Sequence, residues 1–535
     1  MKIKSLLPIA LLLFPLILIA QEKSLPHLEK RGVATQLIVD DKPYLMLAGE
    51  LHNSSSSSLD FMKPIWPRLA AIPLNTVLTP LSWELVEPAE GNYDFALVDG
   101  LLAQARAEHL HIVFLWLAAW KNGMSSYAPV WVKDNTKRFP RVRLHNNEVE
   151  ILSTIAGASD ATRDADARAF TAVLQHIREV DAKDHTVLMM QVENEVGILG
   201  DTRDHSEAAD KAFASPVPSQ LMGYLKAHRD SLDPELLALW RQLGEKTSGS
   251  WSQIFGDTPR SDEIFMAWNY ARYVQHVTAK GKAAYNLPMY VNTWLAGEDV
   301  VPGEYPSGGP QPRVMDIWKA AGSAIDLYCP DLYAANFSYW ADRYDRPDNP
   351  LFIPETRGGA DGAANVFYAV GEHAVLGFSP FAIDGFAADA QDLGPSYDTI
   401  ASIAPILLDA QTRGGVHGFR LTKERSSVNF TMNGYSVQVS LDELFGSHAE
   451  NGYGLIIATG QNEFLGAGKG FRVKITPREP SPFRLGLASV EEGVFVNGQW
   501  VPGRRLNGDE NDQGAYWRFD SHRLHVEKAA YYRFE

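Results

Sequence analysis

Cysteine is nearly absent: the 535 residues hold one, Cys329, set in an apolar run. With no second thiol there is no internal disulfide, and the folded chain must be held by its core alone. Cationic residues are also scarce, 49 Lys and Arg against 65 Asp and Glu, for a net charge of −16. That balance argues against nucleic acid or an anionic membrane as a partner and favours a neutral or cationic ligand. No HExxH pair, phosphate-binding Gly-rich loop or nucleophile elbow occurs, so no metal or cofactor is expected. The oxygen-rich stretch NGDENDQG (Asn507 to Gly514) lacks the ligand spacing of a calcium loop and reads as a solvated turn.

Long apolar runs are confined to the amino terminus. Lys2 and Lys4 precede Leu6 to Ile19, which is broken by Pro8 and Pro15 and followed by Ala20-Gln21-Glu22. The run is too short for a comfortable membrane span and matches a secretory signal peptide over residues 1–20. Export to a bacterial periplasm or to the outside is expected, with no membrane insertion of the mature chain.

What is present is an ordinary globular balance, 45% hydrophobic and 21% charged, in a length that allows two to four domains. Eight short apolar runs end in polar or Gly residues: Tyr44 to Glu50, Asn75 to Trp83, His111 to Ala118, Val187 to Glu195, Pro288 to Trp294, Ile325 to Tyr333, Pro350 to Gly358 and Phe378 to Gly385. Helical patterns fall between several of them. Near-continuous apolar strands alternating with helices predict an α/β fold, a closed (β/α)8 TIM barrel over residues 25–410, with an inserted helical segment at about 198–286. A doubly wound sheet is disfavoured because no phosphate fingerprint follows the first strand. From about Val416 the period changes to strict alternation, as in Tyr435, Val437, Val439 and Leu441, which predicts a C-terminal antiparallel β-sandwich over 416–535.

In a (β/α)8 barrel the strand C-termini build the site, and here they carry Glu50, Trp83, Glu195, Trp294, Tyr333 and Glu355. A buried carboxylate is costly unless paired, hydrogen-bonded or used. Glu195 and Glu355, ending the fourth and seventh strands, are placed to serve as the two carboxyl groups of glycoside hydrolysis; the bland reading is that each pairs with a nearby Arg such as Arg357. His52 is a candidate substrate contact or a satisfied structural histidine. Among Trp83, Trp120, Trp131 and Trp294, one or two are expected to form a sugar platform and the rest to be core.

Three motifs, LNTVLTPLSWELVEPAEGNYDF (Leu74 to Phe95), QVENEVG (Gln191 to Gly197) and IPETRGG (Ile353 to Gly359), resemble glycoside hydrolase family 35, the clan A β-galactosidases. The resemblance spans about Leu37 to Asp384. It implies an exo-acting retaining enzyme with an oligosaccharide substrate, in which Glu195 is the general acid/base, Glu355 the nucleophile, Asn194 a partner of the sugar 2-hydroxyl and Tyr333 a support for the nucleophile. Using both Asn194 and Glu195 requires a bend at the strand end, because alternation sends neighbours to opposite faces.

Two departures matter. Ala119 stands where many members of that family carry an acid, and the first strand ends AGELHNSS. These features resemble a bacterial branch associated with xyloglucan side chains. The residue that reads the axial 4-hydroxyl of galactose is then open: Glu50 with Asn53 and Asn122 as helpers, or Glu193, which alternation points inward, while Glu50 in a structural pair with Arg or Lys is the plainer alternative. Another clan A glycosidase, cleaving xylosides, arabinosides or glucans, and a non-catalytic carbohydrate-binding barrel are the competing functions.

Overall fold

The computed structural model describes residues 24–145, 148–297, 299–385, 388–444, 446–496 and 498–535. The expected signal peptide lies outside them. Eight strands close into a parallel barrel in chain order: β1 (Met46–Glu50), β2 (Thr76–Ser82), β3 (His111–Lys121), β4 (Val187–Asn194), β5 (Met289–Trp294), β6 (Leu327–Leu332), β7 (Ile353–Thr356) and β8 (Gly377–Pro380). Every residue of β1, β2, β4, β6, β7 and β8 is buried, because helices cover the outside and side chains fill the inside. That double burial is why the strands read as apolar runs with no alternation.

Alternation is nevertheless present in where the side chains go. Met46, Ala48, Val113, Leu115, Met189, Tyr290, Leu327 and Cys329 form the inner cluster, while Leu45, Leu47, Ile112, Phe114, Met190 and Val192 join the larger outer core under the helices. The helix Ala96–Ala107 shows the matching helical period, burying Val98, Leu101, Leu102 and Ala105. Between β4 and the long helix Pro259–Ala284 the chain makes four short helices, Glu207–Ala214, Ser219–Ala227, Pro234–Gln242 and Trp251–Phe255.

An element not anticipated from the sequence precedes the barrel. His27–Arg31, Ala34–Val39 and Lys42–Tyr44 form a three-stranded antiparallel sheet, and Tyr44 belongs to it rather than to β1. Its Leu37 and Val39 pack into the inner cluster, so this sheet plugs the N-terminal end of the barrel. The plug is pinned from the far end of the domain: Val33 N donates to the Thr412 carbonyl at 2.9 Å and Gln36 Nε2 to the Leu408 carbonyl at 2.7 Å. Opposite, the buried Tyr397 hydroxyl lies 2.8 Å from the carbonyls of Ala48 and Phe378, bridging β1 and β8 where the barrel closes.

The C-terminal region is a β-sandwich. One antiparallel sheet has six strands, in the order Val416–Leu421, Gly452–Ala458, Glu463–Lys469, His525–Phe534, Arg484–Val496, Gln499–Leu506. The other has four: Ser427–Met432, Tyr435–Leu441, Phe471–Pro477, Trp517–Phe519. Between them sit Phe419, Val437, Val439, Ile456, Phe464, Phe471, Val473 and Trp517, the alternating residues of the sequence pattern. The stretch from Asn507 to Gly514 is a turn built on a short 3-10 helix.

Sandwich and barrel meet through the helix Gly359–Glu372, against which Val416, Tyr453, Leu455 and Ile457 join the outer core. Two glycines set how close they come. A Cβ on Gly371 would stand 2.5 Å from Gly418 Cα, and one on Gly418 would stand 2.4 Å from the Phe367 carbonyl oxygen. Gly418→Ala is therefore expected to push strand from helix and destabilise the chain by about 1 to 3 kcal/mol. A thermal melt should show a clear fall in Tm; an unchanged melt would mean that the interface has slack the geometry does not show.

Candidate active site

The barrel lumen is filled from below, and its C-terminal mouth opens into a cavity of about 930 Å³. Glu195 and Glu355 both line it, from opposite sides of the ring of strands. A third carboxyl, Asp331 of β6, joins them. One oxygen from each of the three lies within 4.8 Å of the others, and all three residues are buried.

Asn292 of β5 holds this group together. Its Nδ2 donates to Asp331 Oδ2 at 2.8 Å and to Glu355 Oε1 at 3.4 Å, while its Oδ1 accepts from the backbone N of Glu195 at 2.9 Å. Glu355 also accepts from Asn194 Nδ2 at 3.4 Å and from the Tyr333 hydroxyl at 3.0 Å. Lys121, at the end of β3, donates from Nζ to Asn194 Oδ1 at 2.9 Å and brings a positive charge to the same space. Burial, with the Glu355 carboxylate beside it, pushes the Glu195 carboxyl up to about 7. Asp331 is driven well above the carboxylate range, first by burial and then by Glu355 and Glu195.

The bend that Asn194 and Glu195 require is built at Glu193. Its φ is +62° and that of Glu195 is +45°, left-handed values that cost a non-glycine residue about 1 to 3 kcal/mol each. Opposite, β3 is irregular: Trp116 pairs with Val192 and Lys121 with Asn194, so Leu117 to Trp120 face Glu193 alone. The turned Glu193 carboxylate accepts from the backbone N of Ala119 at 3.2 Å and of Trp120 at 2.8 Å, capping the amides that the irregularity leaves without strand partners. Gln191 Nε2 ties the bend from inside by donating to the Glu193 carbonyl at 3.0 Å.

This geometry corrects three expectations. Glu193 does not point inward; the left-handed turn sends it beneath the helix Asp160–Asp181, where burial and then Asp166 push its carboxyl far up. Ala119 also faces the outer core, so the absence of an acid there leaves the cavity unchanged. Trp120 is fully buried, donating from Nε1 to the Leu152 carbonyl and packed edge-on against Tyr270 and Tyr273, which makes it core rather than platform.

Glu50 points into the lumen but is sealed below the cavity, fully buried, and both its oxygens lack a hydrogen-bond partner among the described residues. Glu50 is not part of the cavity lining and makes no hydrogen bond to an Arg or Lys among the described residues; the charge of Lys121 favours its ionised form without touching it. Burial first, and Glu355 next, raise its carboxyl well above the usual range. His52 sits outside the cavity lining, its Nδ1 2.8 Å from Asp384 Oδ1. Asn53, Asn122, Tyr333 and Trp294 do line the cavity, and the Oδ1 atoms of both asparagines are buried without a partner among the described residues. Lys121, Asn292, Asp331, Trp340 and Phe381 were missed from the sequence; a polar residue inside an apolar run, as in MYVNTW and YCPDLY, was the available signal for two of them.

Parts of the chain match known proteins. Residues 67–278 match the glycoside hydrolase 42 family model, described as beta-galactosidase, and residues 393–518 match a domain of unknown function, DUF5597. The first match includes Asn194 and Glu195 and stops before Glu355. A beta-galactosidase of Xanthomonas manihotis is 30% identical over 200 residues, 36% of this chain and 29% of that one. The chain thus spans less than a third of the length of this curated relative. Among solved structures, beta-galactosidase from Marinomonas ef1 is similar with a TM-score of 0.44 at 13% identity, over 67% of this chain and 60% of that one. The beta-galactosidase of Bacillus circulans gives 0.46 at 13%, over 68% and 57%. The catalytic domain of the Paenibacillus polymyxa beta-amylase gives 0.45 at 12%, over 65% and 94%.

The two causes that raise Glu195 can be separated by experiment. In Glu355→Gln the like charge is removed while burial stays, so the Glu195 midpoint, about 7 in the native chain, should fall toward the ordinary carboxylate value. Carbon NMR of labelled glutamate carboxyls across pH reads this directly. An unmoved midpoint would assign the whole shift to burial.

Proposed function

We propose that this chain is an exo-acting retaining β-galactosidase that removes terminal β-galactosyl residues from oligosaccharides of the plant cell-wall xyloglucan class, working after export from a bacterial cell. The observation that carries the reading is the Glu195 and Glu355 pair, whose oxygens lie within 4.8 Å of one another at the mouth of a closed-floored barrel. Carboxyls this close favour the roughly 5 to 5.5 Å separation of a double displacement over the wider gap, about 6.5 to 9.5 Å, that holds the water of an inverting enzyme. The finer family assignment, to the group 35 pattern rather than the matched group 42, rests on the three sequence motifs.

In this mechanism Glu355 attacks the anomeric carbon while Glu195, protonated near neutral pH, gives its proton to the departing oxygen. The covalent glycosyl-enzyme is then released by water, whose proton returns to Glu195. Tyr333 holds Oε2 of Glu355 and Asn292 its Oε1, so the attacking carboxylate is fixed through both oxygens, and Asn194 beside it is positioned for the sugar 2-hydroxyl. Trp294 and Trp340 offer apolar walls to the ring faces. The unpartnered amide oxygens of Asn53 and Asn122 take over the recognition role considered for Glu50 and Glu193, because a hydroxyl of the correct epimer satisfies them and the wrong one leaves them buried and bare.

Glu355→Ala should abolish turnover of aryl β-galactosides and regain activity with azide, giving product of inverted stereochemistry. Glu195→Ala should lose about 10² to 10⁴ in rate on poor leaving groups and far less on good ones. If azide rescues the Glu195 variant with inversion instead, the two roles are exchanged; turnover of xylosides or glucosides above galactosides would move the reading to another sugar. For recognition, Asn53→Ala and Asn122→Ala should each lower kcat/KM on galactosides by about tenfold or more and shrink the galactoside-to-glucoside ratio. A ratio that stays constant in both variants would place sugar selection elsewhere.

A further inference from the structure

The segment from Tyr333 to Asn336 closes one side of the catalytic cavity, and behind it lies a second cavity of about 500 Å³. Tyr333 serves both. Its hydroxyl donates to Glu355, and its carbonyl accepts from Arg357 Nε at 3.0 Å. The far wall of the second cavity is not barrel: Arg420, Thr422 and Arg425 come from the end of the first sandwich strand and the turn after it.

Three arginines, Arg357, Arg420 and Arg425, and one acid, Asp361, therefore line one small space on a chain whose net charge is −16. Arg420 is matched, with Asp361 and Asn365 as its partners. Arg357 and Arg425 have no carboxylate within ion-pair distance among the described residues. Like charges around a common cavity repel, and the cavity gains most from a ligand that supplies the missing negative charge. A guanidinium fork matches a carboxylate with two parallel hydrogen bonds, which a neutral hydroxyl cannot do. The volume suits one sugar residue and falls in the usual range of small-ligand sites.

We propose that this cleft is a subsite for a uronic acid, gripped by Arg357 from the barrel and Arg425 from the sandwich, in the leaving portion of an oligosaccharide whose terminal sugar occupies the catalytic cavity. The position of the uronic acid in the leaving portion rests on the function proposed above; the binding of an acidic sugar does not. The subsite gives the sandwich a part in substrate selection, and it places the local charge preference opposite to that of the chain as a whole.

The test compares a galactosyl oligosaccharide bearing a uronic acid in its leaving portion with the same compound after carboxyl reduction. The native chain should favour the acidic form by about tenfold in kcat/KM, mainly through KM, and the preference should fade in 0.3 M salt. The double variant Arg357→Gln, Arg425→Gln, at two exposed positions, should bring the ratio to within about twofold of one. Equal use of the two substrates by the native chain, or a preference that survives the double substitution, overturns the subsite. An equal gain from a sulfate ester in place of the carboxylate overturns the uronic acid assignment. If nitrophenyl galactoside is cleaved but no acidic preference is seen, only the subsite fails. If no galactoside is cleaved at all, the proposed activity fails, and calorimetric titration of the native chain with the acidic against the reduced oligosaccharide still decides the cleft.

Discussion

Three carboxyl groups brought within 4.8 Å of one another and withdrawn from water cannot all be charged. Everything around the mouth of the barrel answers to that constraint. Asn292 reaches all three residues with one amide and fixes their spacing. Lys121 brings one positive charge close, and Tyr333 gives Glu355 a donor. The protons that remain are held by Asp331 and Glu195, pushed up by burial and by their neighbours. An acid that keeps its proton near neutrality is a consequence of this crowding and needs no special property of Glu195 itself.

The same crowding explains why the β3 and β4 ends are irregular. A regular strand would place Glu193 and Glu195 on one face and Asn194 on the other. Turning Glu193 out through a left-handed conformation gives the interior to Asn194 and Glu195, and the displaced carboxylate satisfies amides that β3 exposes by bulging. Strain in one strand and unmet donors in its neighbour thus offset each other.

Much of this was legible in the sequence, for a reason specific to parallel barrels. Strands buried on both faces are written as plain apolar runs, so all eight stood out, and acids at their ends, Glu195 and Glu355, were conspicuous. The sandwich was equally plain because Tyr435, Val437 and Val439 alternate with exposed residues. What could not be read was anything that depends on a break in regularity. No residue type marks a left-handed φ at Glu193, so alternation assigned it to the wrong side, and nothing in the sequence marks the irregularity of β3 that turns Ala119 and Trp120 into the outer core. Asn292 and Asp331 act through partners tens of residues away, and the pattern of their own strands is silent about that. The N-terminal sheet was missed because strands of three to six residues leave a weak period, although Asp40 and Asp41, both left-handed, form its turn. The acidic composition pointed away from anionic ligands, yet it averages over a surface on which three arginines gather at one cleft.

The plug beneath the barrel carries a consequence for the order in which the molecule can be assembled. Its strands precede the barrel strands in the chain, but the Leu408 carbonyl that receives Gln36 comes 372 residues later. At ordinary rates of synthesis that interval is roughly 20 to 75 s. Throughout it the lower end of the lumen has lining but no lock, and β1 waits for β8 and for Tyr397 to complete the ring. The barrel therefore becomes a closed object only when its two ends meet, and its early strands gain their last partners from residues made long after them.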